Sequence, residues 1–443
     1  MNVRNLALKT LLSIERDGSY SALAINNSVK ENKLNRLDSS FLSALVYGVL
    51  ESQLTLDYII KTYSKIPLRK IEQKTKIILR LGIFQLVFMD KVPDSAAVNE
   101  SVNLAKKHRL TKSSGFINGI LRSVTRAEQR LVLPDKSKDY EYYLSIRYSC
   151  PRELIKLWTD SYGAEITENI LKSLLGRPQL TARVNTLRTT PEKLLSQLRD
   201  DGAEAGLSDL VENAVVLKNT GSVESLSAFK NGDLYIQDIA SQLCVKALDP
   251  KPHDIMLDVC SAPGGKSFTA AQYMENRGKI YAFDIYEHKL RLIEKTASRL
   301  GISIIKTDIR EAQSDTRELE LCDKVLCDVP CSGLGILSRK PEIRYKKDLL
   351  NPELSELQYK ILTNTARFTA YGGTLIYSTC TLNPAENTEN VKRFLSEYPE
   401  FKPAELNLGI ESVADEPSNC LTLFPFGGTD GFFIAKFKRE KNA

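Results

Sequence analysis

The sequence predicts a multidomain protein: an all-α bundle, then a small α+β unit, then a C-terminal α/β domain. Three observations lead there. The first 130 residues show only helical spacing of apolar residues, residues 151–232 mix helix and strand signals, and from about residue 233 short β-branched runs alternate with helical stretches. The 443 residues are chain enough for about three domains. A composition of 42% hydrophobic and 26% charged residues is ordinary for a globular protein and argues against wholesale disorder.

Residues 1–132 read as the helical module. Leu8, Leu11, Leu12 and Ile14 form one stripe, Phe41, Leu42, Leu45, Val46 and Val49 a second, and Ile77, Ile78, Leu81, Phe84 and Val87 a third. Pro67 and Pro93 fall between stripes, where helices stop or start. Charge is concentrated here. The net +6 divides into 21 Lys+Arg against 11 Asp+Glu in residues 1–133, and 40 against 44 in the remainder. A basic helical module on a slightly acidic body points to a polyanionic partner, with a solvated basic surface as the plainer alternative. The longest apolar run, Gly82 to Met89, contains Gln85 and is far short of the roughly 18–20 residues a bilayer span needs. The N-terminus carries no signal-type hydrophobic block. The expectation is a cytoplasmic protein without membrane contact, its eight cysteines reduced.

Residues 133–150 read as a polar linker ending at Cys150-Pro151. Residues 151–232 read as a small α+β unit, with helices at Glu153–Leu157 and Pro191–Leu198 and strands at Leu180–Val184 and Ala214–Leu217. Residues 233–443 read as the α/β domain. Strands are predicted at Ile255–Val259, Lys279–Phe283, Ile302–Ile305, Lys324–Cys327, Thr374–Tyr377 and Gly431–Lys436, with helices at Lys289–Leu300 and Leu354–Ala370. Alternation of this kind builds a mostly parallel sheet.

Open parallel sheets bind ligands at the carboxyl ends of their strands. The first strand is followed by Cys260-Ser261-Ala262-Pro263-Gly264-Gly265-Lys266, the second by Asp284 and the third by Asp308. The fourth ends in Asp328-Val329-Pro330-Cys331 and the fifth in Ser378-Thr379-Cys380. Gly264-Gly265-Lys266-Ser267 resembles the tail of a phosphate-binding loop, but Cys260 stands where that motif needs glycine, and no G-x-G-x-x-G fingerprint occurs. What is left is a glycine-rich turn whose backbone approaches a ligand at a helix N-terminus, a natural seat for a carboxylate. Asp284 is placed to accept from ribose hydroxyls. Carboxylate, ribose and base together describe S-adenosylmethionine better than ATP; a tight turn of small residues is the plainer reading.

Cys331 and Cys380 follow adjoining strand ends, whereas Cys327 falls within a strand and reads as core. A single cysteine is more often a small buried hydrophobe than a nucleophile. Two of them over a cofactor turn are candidates for covalent chemistry. No metal site is predicted. His108, His253 and His288 are the only histidines, and Cys322, Cys327 and Cys331 lack the paired spacing of a structural zinc site.

Asp258 through Lys266 (Asp-Val-Cys-Ser-Ala-Pro-Gly-Gly-Lys), Asp328 through Gly333 (Asp-Val-Pro-Cys-Ser-Gly) and Tyr377 through Cys380 (Tyr-Ser-Thr-Cys) together resemble the motifs of RNA cytosine-C5 methyltransferases. Arg80-Leu81-Gly82 and the stretch Ala96 to Val102 resemble a NusB-like RNA-binding domain, and Arg183-Val184-Asn185-Thr186 resembles the start of the small RNA-binding subdomain. The combination is similar, over nearly the whole chain, to the bacterial 16S rRNA cytosine-C5 methyltransferases of the Sun/RsmB type. Ser261 stands where that family usually has Ala, and Cys150 where His is expected.

The resemblance implies a Rossmann-like class I methyltransferase domain at the C-terminus. It implies S-adenosyl-L-methionine as cofactor, held by the Cys260–Lys266 turn with Asp284, Asp308 and Asp328. It implies 16S rRNA as partner, with no obligate protein partner, and a covalent mechanism. In that mechanism Cys380 adds to cytosine C6, Cys331 assists product release and Asp328 contacts the ring nitrogens. The cofactor sulfonium and Lys266 are candidate positive charges for lowering the Cys380 pKa. The rival readings are the same chemistry on tRNA or another rRNA site, a non-catalytic RNA-binding factor, and a P-loop NTPase.

Overall fold

Apolar stripes become helices where they can bury a face, and the front of the chain does this throughout. The computed structural model describes residues 2–441. It divides into two units: the chain up to Arg177 with Leu337–Leu349, and Pro178–Ile336 with the chain from Leu350. Among the described residues of the first unit, seven α-helices from Val3–Asp17 to Thr111–Arg126 precede residue 127. They bury Leu8, Leu11, Ile14, Leu42, Leu45, Val46, Ile77, Ile78 and Leu81 in one core. Gly82 packs so closely on Leu121 and Ser101 that a Cβ would overlap both. No helix among the described residues is long and apolar enough to cross a membrane.

The segment expected to be a polar linker contains a helix, Tyr140–Tyr148, capped by Asp139 Oδ1 and burying Leu144, Ile146 and Tyr148. Its lysines and aspartates suggest a linker by composition, but the buried side chains decide its structure. A long helical stretch, Arg152–Ser173, follows and is broken at Gly163, where φ is +82°. Leu337–Leu349 completes the unit. Within it Arg344, 1% exposed, donates to the carbonyls of Glu51, Tyr148 and Ser149 at 3.2, 3.4 and 3.4 Å. Glu342 accepts from Ser21 N and Oγ at 3.1 and 2.8 Å, placing a carboxylate at the N-terminus of helix Ser21–Glu31, where the helix dipole favours it.

The second unit holds two sheets. Strands β1 (Leu180–Val184), β2 (Glu204–Leu207), β3 (Ala214–Lys218) and β4 (Leu234–Ile236) form an antiparallel sheet in the order β2-β3-β1-β4. Arg183, 1% exposed on β1, donates to Gln272 Oε1 at 2.9 Å and to Gln242 Oε1 and Glu212 O at 3.2 Å each, and lies over the Tyr273 ring. Asn185 Nδ2 donates to Gly232 O and Leu300 O at 2.7 and 2.8 Å. These two side chains fasten the small sheet to the larger one's helices.

The larger sheet comprises β5 (Ile255–Asp258), β6 (Lys279–Asp284), β7 (Ile305–Ile309), β8 (Cys322–Asp328), β9 (Thr369–Thr379), β10 (Phe401–Pro403), β11 (Cys420–Leu423) and β12 (Phe432–Arg439). Its order is β10-β12-β9-β8-β5-β6-β7, with β11 paired to β12. Strands β9, β8, β5, β6 and β7 are parallel, while β12 is antiparallel to β9. Connections leave β5 toward β6 on one side, and β8 lies on the other. The carboxyl ends of β5 and β8 therefore flank the switch point where such sheets bind ligands.

One strand lies downstream of its expected place. Residues Ile302–Ile305 were expected to form it, but β7 spans Ile305–Ile309, so Asp308 sits within the strand and not beyond its end. Ile302 instead closes the helix Glu287–Leu300: it is buried, and its N–H donates to Ala297 O at 2.9 Å. β7 is an edge strand, and its polar Lys306, Thr307 and Asp308 mask the β pattern.

Candidate active site

After β5 the chain turns at once into the helix Gly265–Tyr273. Gly264 takes φ +99°, and a Cβ there would strike the Phe268 ring, so this position requires glycine. Gly264 N donates to Ser261 O at 2.7 Å. Ser261 ties the turn to β6, its N and Oγ donating to Phe283 O at 2.9 and 3.0 Å. The positive end of the helix dipole thus lies at the turn.

Beside the turn is a cavity of about 170 Å³. Of the residues expected in the site, Ser261, Ala262, Pro263, Gly265, Lys266 and Asp328 line it; Cys260, Gly264, Asp284, Asp308, Cys331 and Cys380 lie outside its lining. Sequence reasoning missed Gln237, Asp238 and Ser241, which come from the β4 connection, and left Asp258 without a role. Among the described residues, the buried Gln237 Nε2 donor and Asp258 Oδ1 acceptor here have no hydrogen-bond partner. Burial pushes the Asp258 carboxyl up to about 7; Ser267, donating at 2.6 Å, opposes this, and the Asp328 charge adds to it. An unpaired donor and acceptor beside a helix N-terminus fit a ligand that carries both carboxylate and ammonium, as the amino-acid end of S-adenosylmethionine does.

Lys266 Nζ donates to Asp328 Oδ2 at 2.7 Å and lies over the Phe432 ring. Ser378 Oγ donates to Asp328 Oδ1 at 2.8 Å. Asp284 is buried at the end of β6 and accepts from Tyr286 N at 3.1 Å. Asp308 is half-exposed and engaged by Arg310 Nε and Arg317 Nη1 at 3.0 and 3.2 Å.

The two thiols meet. Cys331 Sγ and Cys380 Sγ are 3.1 Å apart. The hydrogen bond to Cys380 comes first, then burial, in holding the Cys331 thiol well above the ordinary thiol range. The Cys331 thiol therefore keeps its proton beside the Cys380 sulfur. Their loops are locked together through glycines: Gly335 N donates to Cys380 O at 3.0 Å, and a Cβ on Gly335 would overlap the Gly431 carbonyl. Cys327 is fully buried in the strand interior, as its position in the sequence implies.

A mixed sheet with five parallel strands and this turn, preceded by a small antiparallel sheet and a helical bundle, is the architecture of an S-adenosylmethionine-dependent methyltransferase with appended modules. The family described as 16S rRNA methyltransferase RsmB/F matches residues 245–438, the NusB family residues 1–126, and the ferredoxin-like domain of RsmF/B-like methyltransferases residues 150–224. A probable ribosomal RNA small subunit methyltransferase B of Bacillus subtilis (strain 168) is 37% identical over 451 residues, 99% of each chain. Ribosomal RNA small subunit methyltransferase B of Klebsiella pneumoniae (strain 342) is 28% identical over 449 residues, covering 100% of this chain and 99% of its own. The crystal structure of PH0851 superposes with a TM-score of 0.84 at 26% identity, over 99% of both chains. The chain belongs to the ribosomal RNA small subunit methyltransferase B family.

Proposed function

We propose that this protein methylates C5 of a specific cytosine in 16S rRNA, using S-adenosyl-L-methionine, through a covalent adduct between Cys380 and cytosine C6. The observation that carries the reading is the Cys331–Cys380 sulfur pair, 3.1 Å apart, beyond strands adjacent to the cofactor turn. Methyl transfer to an amine or hydroxyl needs no thiol. A carbon that must first be activated needs a nucleophile.

Cytosine C5 is a weak nucleophile. Addition of the Cys380 thiolate to C6 moves electron density onto C5, which can then attack a methyl donor. Bound S-adenosylmethionine supplies the electrophilic methyl group. Removal of the C5 proton by a base then re-forms the C5–C6 double bond. The C6–sulfur bond breaks with its electron pair returning to Cys380. Cys331, whose thiol keeps its proton, is suited to stabilise the departing sulfur and so to assist release. Asp328, held by hydrogen bonds from Lys266 and Ser378, would contact the cytosine ring nitrogens. The residues that would hold the cofactor are the Cys260–Lys266 turn, Asp284, Asp308 and Asp328, with Gln237 and Asp258 for its amino-acid end. The domain spans 1–132, 151–232 and 233–443 then divide the work: the first two hold RNA phosphates and shape, the third acts on an unstacked base. The setting is the cytoplasm, where 16S rRNA is assembled.

The test is incubation with radiolabelled S-adenosylmethionine and undermethylated 16S rRNA, followed by mapping of 5-methylcytosine. Cys380→Ser abolishes transfer, and Cys331→Ala accumulates a protein–RNA adduct that survives denaturation. Methylation of tRNA in place of 16S rRNA, or undiminished transfer by Cys380→Ser, overturns the reading.

A further inference from the structure

Glu386 lies six residues beyond Cys380 and is 2% exposed. Its Oε2 accepts from Ser332 N at 2.9 Å and Gln358 Nε2 at 2.7 Å; its Oε1 accepts from Asn383 Nδ2 at 3.0 Å and from Ser332 Oγ. Ser332 directly follows Cys331. Gln358 Nε2 also donates to the carbonyl of Pro330, which directly precedes Cys331, at 3.0 Å. The network extends to the second thiol: Ser332 Oγ meets Oγ1 of Thr381, the residue after Cys380, at 2.7 Å. The residues on both sides of Cys331 are thus fixed by one carboxylate-centred cluster.

The chemistry of the group explains its use. A carboxylate only accepts, so it can take all four hydrogen bonds at once; an amide in its place would aim a donor at another donor. Burying a charged carboxylate is costly unless its oxygens are filled, and here they are.

We propose that Glu386 is a positioning residue that holds the Pro330–Ser332 turn so that the Cys331 thiol meets the Cys380 sulfur. The proposal rests on the two-cysteine reading above. The Glu386 charge also adds, after the Cys380 hydrogen bond and burial, to what keeps Cys331 protonated.

The test is Glu386→Gln, assayed with S-adenosylmethionine and undermethylated 16S rRNA. Turnover falls about tenfold or more, the KM for S-adenosylmethionine stays within about twofold, and the covalent protein–RNA adduct accumulates on a denaturing gel as it does with Cys331→Ala. In the double variant Cys331→Ala/Glu386→Gln, turnover is no lower than with Cys331→Ala alone, because a residue acting through Cys331 has nothing left to act on. Additive losses, or lost turnover without adduct, overturn the proposal. Ser332→Ala, which removes only the hydroxyl, gives a smaller loss with the same non-additivity and serves if Glu386→Gln does not fold. If Cys331→Ala itself leaves no adduct, the two-cysteine reading has failed and the proposal falls with it. If Cys331→Ala traps the adduct and Glu386→Gln does not, the role of Glu386 alone is wrong.

Discussion

Lys266 Nζ and Asp328 Oδ2 lie 2.7 Å apart, with side chains 13% and 26% exposed, and join the helix Gly265–Tyr273 to the end of β8. Burial alone would lower the ammonium pKa, yet Asp328 and the other negative groups nearby hold it above the ordinary lysine value. Lys266 therefore stays charged. That charge is paired with Asp328. Lys266→Met, which leaves the half-sheltered carboxylate alone, costs about 1–3 kcal/mol of stability. Lys266→Met/Asp328→Asn costs less than the sum of the single changes in chemical denaturation; strict additivity would mean the pair is not coupled.

Asp258 makes stability and cofactor binding depend on pH. Its carboxyl, pushed up to about 7 by burial, binds a proton more tightly folded than unfolded. The stability it contributes is full below the ordinary carboxylate pKa near 4 and is lost as pH rises to about 7. Asp258→Asn lacks this term, so the variant gains on the wild type in thermal denaturation between pH 5 and pH 8. A ligand ammonium pairs with the ionised form. S-adenosylhomocysteine binding therefore tightens as pH rises through about 7 in the wild type, and calorimetry with Asp258→Asn shows no such trend.

Salt dependence reads out the basic front end. Lys74, Lys107 and Lys9 all act on His108, whose imidazole is lowered first by burial and then by these three charges, so the lysines cluster on one part of the bundle. If about six phosphates are neutralised there, RNA affinity falls about a thousandfold between 50 and 200 mM salt. Lys74→Glu/Lys107→Glu reduces both the affinity and the slope in filter binding. A rate of methyl transfer that stays flat from 50 to 300 mM removes the electrostatic part of the reading.

Arg183 tests which basic residues are structural. It is buried and bonded to Gln272, Gln242 and a backbone carbonyl. Arg183→Met leaves those acceptors unfilled and lowers stability by about 2–4 kcal/mol. Lost RNA affinity at unchanged stability would instead make Arg183 an RNA contact.

Arg183 also shows where reading the sequence stops. Its motif pointed correctly to the small subdomain, but no spacing rule separates a buried arginine from an RNA-facing one. The parallel strands β5, β6, β8 and β9 were legible because each holds a short apolar run with a β-branched residue, closed by a polar residue. β7 was not, because an edge strand tolerates Lys306, Thr307 and Asp308, and β2, β4, β10 and β11 are three or four residues long, too short for a period of two to register. The meeting of Cys331 and Cys380 follows from β8 and β9 being neighbours, so their strand-end positions were enough to suggest it. Gln237 and Glu386 were missed for the opposite reason. Each lies in a connection with no pattern of its own, and only the fold brings it to the chemistry.

The segment Leu337–Leu349 gives the bundle more than one attachment. The peptide passes between the two units three times, at Arg177–Pro178, Ile336–Leu337 and Leu349–Leu350. Proteolysis at the first crossing alone leaves Leu337–Leu349 covalently attached to the second unit and held to the bundle only by non-covalent contacts such as the Arg344 hydrogen bonds. A truncation beginning at Pro178 keeps the loop but strips Arg344 of the carbonyls of Glu51, Tyr148 and Ser149, exposing a charge and the buried Ile343 and Leu349 that were built to be enclosed. Such a fragment is expected to aggregate. The front end is therefore not a detachable adaptor: recombination could exchange it for another RNA-binding module only by replacing, in the same event, a loop encoded some 160 codons downstream of the boundary.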